Sequence, residues 1–387
     1  MGSGFKSRGV YQIKTLLIIG IVKYMKILIV GAGAAGITAG HALSEKGVDF
    51  EILEASSVHG GRVKKNADFA DFPIDLGAEW VHRAIKAKAP TTQALLSGQS
   101  PDFKIFSYRP KAVLQYKNGK LRSNGWMKLL FAIVNDGKFV DSTWFDFIDQ
   151  LVTPEIKKKI HYSSPAIKVQ HSSKEIVVTS ASGEQFRADK VLITVPIKML
   201  QDEYIEFAPA LPDWKKKAIT KEQFGDGLKV FIEFSEKFYP EVLEIGSSIR
   251  NPRESDDSYY DATVGKNSSK NILALFAHGP TATKYTSLTT DKALLDLILR
   301  ELDEVFDGQA TQYYKKHIVQ NWSKEPFIGG SYSMGKGSVK ELSAPLNNRI
   351  YFAGEAMNPS GKTIAVHGAC ESAYLAVSEM LTNKDRR

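Results

Sequence analysis

A chain of 387 residues with 43% hydrophobic and 24% charged side chains is ordinary for a globular protein, and its length suits two interleaved domains rather than one simple core. The net charge of +8 is spread along the chain in short clusters (157–159, 215–217) that read as solvated helix faces, so nucleic acid is not expected as a partner. A single cysteine, Cys370, excludes an intrachain disulfide or multi-thiolate site, and the eight histidines show no ligand spacing, so no metal is expected.

Residues 1–24 hold a short apolar run, 16–22, behind Lys6, Arg8 and Lys14. It is too short for the ~20 residues of a membrane span, and no small-residue cleavage site follows it. Two readings stay open: an upstream extension or misassigned start, and weak membrane attachment. The expected location is cytoplasmic.

The first strong pattern is KILIVGAGAAG, residues 26–36. An unbroken apolar run at 27–30 suits a strand buried on both faces. It turns through Gly31, Gly33 and Gly36, a G-x-G-x-x-G, into a helix ending near Gly47. Gly31 serves the tight turn, Gly33 the approach of a pyrophosphate, and Gly36 the close packing of helix on strand, with the phosphates at the helix N-terminus. A second strand, 49–53, ends at Glu54, where a carboxylate binds a ribose hydroxyl. An acid rather than an arginine there favours FAD or NAD over NADP.

Downstream stand EASSVHGGR, residues 54–62, and PIDLGAEWVH, residues 73–82. Gly-Gly-Arg directly after the ribose acid resembles the flavoprotein amine oxidase family, which includes monoamine and polyamine oxidases. The resemblance implies FAD held by Gly61 and Arg62 at the pyrophosphate, with Ala35 beside the first turn and Gly77, Ala78, Glu79 and Trp80 along the cofactor. Residues 83–155 bring aromatic and apolar helical stretches, 126–134 and 144–152, that match no motif and fall to the substrate side by position.

Strands at 166–169 and 175–179 and a buried run at 191–195 resemble the family's second FAD segment, which implies that the backbone of Val169 meets the adenine. Farther on come a short helix at 213–222, an alternating strand at 228–234, and an amphipathic helix at 290–306. That helix carries Leu294, Leu297, Ile298, Leu302 and Val305 on one face and stops near Gly308. The closing segment, NRIYFAGEAMNPSGKTIAVHGACESAYLA at 348–376, resembles the family's last flavin segment. The resemblance puts phosphate and ribityl groups at Gly354 and Glu355, and a helix beginning near Ile364, with Ala365 and Val366, against the flavin. Cys370 sits within it as a buried, inert thiol.

Lys229, in FGDGLKVFIEF, matches the family's lysine that holds a water beside flavin N5. In NWSKEPFIGGSY, residues 321–332, Trp322 falls on the cofactor, and Ser331 stands where covalent members carry cysteine, so the FAD is expected to be noncovalent. Tyr332 matches one aromatic wall of an amine cage whose other wall falls at Ala365, leaving the cage half open. His82 resembles a histidine of the polyamine oxidase tunnel, with a core role as its alternative.

The fold expected is α/β: a Rossmann-type FAD-binding domain (25–82, 165–204, 317–387) with an interleaved α+β substrate domain (83–164, 205–316). The reaction implied is oxidation of a C–N bond of a small-molecule amine, with hydride to flavin N5, hydrolysis of the imine, and oxygen reduced to hydrogen peroxide. Two rivals remain: a carotenoid-desaturase-like FAD dehydrogenase that does not use oxygen, and a flavin-binding protein without turnover.

Overall fold

Strand Lys26–Val30 alternates its side chains between two cores, which is why the sequence shows a continuous apolar run there. Ile27 and Ile29 join one cluster; Leu28 and Val30 join the other. The computed structural model describes residues 25–82, 89–134, 136–245, 256–335, 337–359 and 364–382. The run at 16–22 lies outside them, and no helix among the described residues is long and apolar enough to cross a membrane.

The central sheet has five strands in the order Ile350–Phe352, Lys190–Ile193, Lys26–Val30, Asp49–Leu53 and Ile160–His161. All four pairings are parallel. Helices Ala34–Glu45 and Val366–Thr382 cover one face, sharing a core with Ile27 and Ile29. A four-stranded sheet carrying Val169, Val178 and Phe186 covers the other. This is the Rossmann-type α/β arrangement expected from the glycine turn.

A seven-stranded sheet forms the second body, in the order Tyr314–Asn321, Gly227–Phe234, Asn271–His278, Asp256–Asp261, Val242–Ile245, Val113–Lys117 and Lys120–Ser123. Helix Asp291–Phe306 packs its apolar stripe into this sheet's core. Thr290 caps the helix, and Asp307, at φ 51°, ends it in the left-handed region. Leu294, Ile298 and Leu302 are buried as expected, but Leu299 and Phe306 complete the stripe, while Leu297 and Val305 are only partly buried.

Strand pairing redraws the expected boundaries. Tyr314–Asn321 pairs with Gly227–Phe234, so a division at 317 cuts through a strand of the seven-stranded sheet. Glu206–Ala208 pairs with Ala166–Gln170 and thus continues the cofactor-side segment past 204. Trp144, Phe147 and Ile160 pack in the same core as Ile27, which moves residues 144–161 from the substrate side to the parallel sheet. Alternation announces a strand without saying which sheet it joins. The last helix also begins two residues later than expected, because Ile364 has φ +73°.

Candidate active site

A cavity of about 520 Å³ lies between the carboxyl ends of the parallel strands and one face of the seven-stranded sheet. Carboxyl ends of parallel strands are where open α/β sheets receive ligands. Of the candidate cofactor-binding and catalytic residues named from the sequence, all but Gly36 and Val169 line this cavity.

At one end the chain forms a cradle around Gly31. This residue has φ +106°, and a Cβ on it would stand 2.7 Å from Thr194 Oγ1. Gly36 lies behind the wall: a Cβ there would meet Gly31 O at 1.8 Å, so glycine lets the helix press onto the turn. Gly33 lines the cavity at the N-terminus of helix Ala34–Glu45 with no side-chain cap on that end. Glu54 follows the second strand, its carboxylate accepting from Ala32 N at 2.7 Å and Ser56 N at 2.8 Å. Burial pushes its pKa up, against the lowering effect of those amides. Val169 is buried at mid-strand; the cavity is met instead by Pro165 and Ala166, just before and at the start of that strand.

The middle of the cavity is held by bonds between segments far apart in sequence. Arg62 Nη1 donates to Ser331 O at 2.8 Å and to Glu355 Oε1 at 2.9 Å, and Glu355 also accepts from Ser333. Gly77 passes so close to Arg62 that a Cβ would fall 1.9 Å from its carbonyl oxygen. The indole of Trp322 donates to Leu76 O at 3.0 Å. Gly354, at φ +147°, opens onto the cavity with nothing within 4 Å of a Cβ position. Three glycine-lined approaches, a helix N-terminus and an acid at the second strand suit a dinucleotide. The residues therefore fit FAD. The chain's one cysteine, Cys370, is fully buried outside the lining, and burial raises its thiol to about 11.

At the far end Glu79 collects a buried cluster. Its carboxylate lies 2.7 Å from Lys138 Nζ and 2.7 Å from Lys229 Nζ, and it accepts from the Tyr260 hydroxyl. Burial alone would raise Glu79; the two ammonium groups overturn this and hold it well below the carboxylate range. Lys138 is an ion pair without good hydrogen-bond alignment, and it sits 4.0–4.6 Å from the ring centroids of Tyr260, Trp80 and Tyr108. Burial lowers it to about 8. Lys229 also donates to Asp75 O at 3.1 Å, and the Asp75 carboxyl is raised to about 8 by burial and then by Glu79.

Tyr332 and Ala365 line the same cavity. The Tyr332 ring lies flat on His278, with centroids 3.8 Å apart and planes at 20°. His278 is fully buried, lies 2.6 Å from Ser331 Oγ, and is pushed down to about 4 by burial, hence neutral. His82 is at the cavity wall with Nδ1 2.9 Å from Asp136 Oδ2.

Four residues escaped the sequence reading: Lys138, Tyr260, His278 and Glu244. Each comes from a segment without a nameable motif; the fold brings Tyr260 and Glu244 to the cavity wall, and sets Lys138 behind Glu79 and His278 behind Tyr332. Alternation in strand Val242–Ile245 could have flagged Glu244 as a charge among apolar neighbours.

The sequence profile described as flavin-containing amine oxidoreductase matches residues 127–381, well over half the chain, and a profile for an NAD(P)-binding Rossmann-like domain matches 29–96. Polyamine oxidase 4 of Oryza sativa subsp. japonica is 31% identical over 225 residues, covering 57% of this chain and 45% of the relative. Histone demethylase-like protein A of Aspergillus fumigatus is 30% identical over 247 residues, covering 59% of this chain and 22% of the relative. The matches thus span less than half the length of either protein. A wild-type putrescine oxidase bound to putrescine shares the fold with TM-score 0.72 at 15% identity, over 93% of this chain and 99% of that one.

Proposed function

The chain belongs to the flavin-containing amine oxidoreductase family, and from that membership we propose that it oxidises the C–N bond of an amine to an imine that water hydrolyses, with oxygen as final acceptor. The observation that carries this reading is the meeting of the dinucleotide cradle with Lys229, Tyr332 and Ala365 around one cavity. Bound FAD supplies the two-electron acceptor for the C–H bond beside the amine nitrogen.

The protein's own share is to bind the amine uncharged and oriented. An alkylamine of pKa near 10.4 gives up its proton at pH 7.4 for about 4 kcal/mol. At this end Lys138 and Lys229 place two positive charges against the single negative charge of Glu79. That surplus repels an ammonium and favours the neutral amine, whose lone pair the oxidation requires. The Tyr332 face, fixed from behind by His278, gives the substrate nitrogen a flat wall to lie against. Lys229, anchored by Glu79 and the Asp75 carbonyl, is placed to hold a water or a proton at Nζ.

The test is an amine panel added anaerobically to the holoenzyme, followed by air. Bleaching of the yellow colour and its return with peroxide is the expected result. Bleaching without return in air points to a dehydrogenase; no bleaching by any amine removes the proposal.

A further inference from the structure

The whole chain sets 43 acidic residues against 51 basic ones, yet between Asp102 and Asp136 it holds five lysines, two arginines and no carboxylate. Part of this stretch is a hairpin, strands Val113–Lys117 and Lys120–Ser123, at the edge of the seven-stranded sheet. Asn118 and Gly119 close it with φ at 54° and 69°, the positive values that a two-residue turn requires. The turn sets Lys117 directly opposite Lys120, and Gln115 opposite Arg122. Residues two apart on a strand share a face, so Lys117, Lys120 and Arg122 stand exposed on one side of the hairpin. Like charges directly opposed destabilise a ladder, and among the described residues no ion pair forms to any of the three. Glu304, which accepts from the Tyr116 hydroxyl at 3.1 Å, is on the other side, where Leu114 and Tyr116 pack against the core beneath helix Asp291–Phe306.

Helix Gly125–Val134 follows at once and lies over the basic side, because its Met127 and Phe131 pack with Val113, which shares a face with Lys117. Asn124 fixes the junction. Its N donates to Val113 O at 2.8 Å, its Oδ1 accepts from Met127 N at 3.1 Å, and its Nδ2 donates to Glu244 at 3.0 Å. The helix reads GWMKLLFAIV, with Lys128 its single charge. Met127, Leu130 and Phe131 line the cavity. Trp126 and Leu129, one turn apart, nevertheless stay 57% and 51% exposed. A helix apolar on every side is ordinarily buried on every side, so this outer face lacks a cover.

The charges around it select the cover. A second copy of this chain would press the same cations against each other, and a nucleic acid would leave the aliphatic Leu129 unsatisfied. An anionic bilayer meets both needs, since apolar side chains enter the boundary between headgroups and acyl chains while lysine and arginine meet the headgroups. We propose that the hairpin 113–123 and the outer face of helix Gly125–Val134 form a docking surface for an anionic lipid bilayer. Trp126 and Leu129 enter the headgroup layer, and Lys117, Lys120, Arg122 and Lys128 meet its negative charges. The inference is independent of the amine-oxidising reading. It requires no membrane span: the protein lies on the bilayer, and the helix that walls the cavity is the part in contact.

The experiment is cosedimentation of the full-length holoprotein with sucrose-loaded vesicles of phosphatidylcholine, alone or mixed with phosphatidylserine, at low and high salt. The parent should bind the anionic vesicles at least about tenfold more tightly than the neutral ones, and high salt should weaken that binding. Lys117→Gln with Lys120→Gln should weaken it roughly 25-fold, about fivefold for each basic residue. Trp126→Ser with Leu129→Ser should weaken it by about tenfold or more, and Trp126→Ser alone should remove most of the quenching of tryptophan emission by brominated lipid. All four positions are exposed, and a retained flavin spectrum shows that each variant is folded. Residues 1–24 stay in every variant, so a loss belongs to the patch and not to the apolar run at 16–22. Failure of the parent to sediment with anionic vesicles at low salt overturns the proposal, and so does equal binding to neutral ones. Binding that survives both double substitutions overturns it too, by placing the contact elsewhere. A dimer in solution that Trp126→Ser with Leu129→Ser dissociates, without vesicle binding by the parent, gives the face to a second copy and overturns it as well.

Discussion

Glu79 meets two lysine ammonium groups at 2.7 Å each and a tyrosine hydroxyl, whereas Glu244, facing the same cavity, has one carboxamide at 3.0 Å. Both are buried, and burial acts on both in the same direction. The outcome nevertheless differs: the two ammonium groups drive Glu79 well below the carboxylate range, whereas burial leaves Glu244 raised from its usual value. Partners, not depth, decide which way each carboxylate is shifted.

The sharpest break of that comparison is on stability. Glu79→Gln leaves Lys138 and Lys229 buried without their counter-ion and should cost about 3–5 kcal/mol. Glu244→Gln keeps the hydrogen bond from Asn124 and removes an unneutralised charge, so it should change stability by less than ~1 kcal/mol at neutral pH. Denaturant unfolding of the three holoenzymes measures both. The pH dependence runs in opposite senses. The stabilisation from Glu79, whose folded pKa is depressed, is present above the unfolded carboxylate pKa and fades as pH falls through the folded one. The contribution of Glu244, whose folded pKa is raised, is full below the unfolded pKa and lost as pH rises through the folded one. Glu244→Gln should therefore gain on the parent as pH rises, and Glu79→Gln should draw level with it in acid. Equal losses for both variants at neutral pH would show that the two carboxylates are equivalent after all.

Lys229→Met sharpens the same contrast at the level of chemistry. Glu79 keeps Lys138 and Tyr260, so FAD should stay bound while the local positive surplus disappears. We expect the oxidase cycle to slow by about two orders of magnitude, the lower end of what a positioned proton-transfer group contributes. Anaerobic reduction and oxygen uptake are to be timed separately. If both rates match the parent, Lys229 is a strand residue with a structural ion pair and nothing more.

The cofactor end of the cavity was legible in the sequence because it is built from backbone. Glycines 31, 33, 36, 77 and 354 mark places where the main chain turns or comes close, and such places leave a residue type that a reader can see. The Glu79 end is built from side chains delivered by strands whose neighbours are distant in the chain. Lys138 and Lys229 come from segments far apart in the chain and meet only at Glu79, and Glu244 is set beside Ser258 and Gln115 only by strand pairing. Alternating hydrophobicity announced the strand beginning at Gly227 but not that Tyr314–Asn321 would lie beside it. Val169 is off the cavity lining for a related reason: a strand pattern gives the buried face, and the cavity is met at the strand's entry, Pro165 and Ala166.

The smallest expected effect concerns the wall opposite Tyr332. The Tyr332 ring has His278 against its back at 3.8 Å, and His278 is in turn held by Ser331, so this wall has little freedom to adapt to a substrate. Ala365 presents only a methyl group to the same cavity, one residue before the helix Val366–Thr382 and next to Ile364 with its left-handed backbone. Its carbonyl is tied to Ala369 N at 3.1 Å, so a larger side chain there would turn into the cavity rather than move the backbone. Ala365→Tyr adds a second ring worth roughly 0.5–2 kcal/mol to a cationic or partly charged nitrogen, and it narrows the opening for bulky groups. The parent should prefer extended or bulky amines over short alkyl monoamines, and the variant should shift kcat/KM toward the short ones by a few-fold to tenfold. A loosely held small amine gains near-attack geometry when the gap is filled, while a bulky amine loses room. The measurement is kcat/KM across one amine panel for both proteins. A ranking that does not move would place Ala365 out of reach of the substrate.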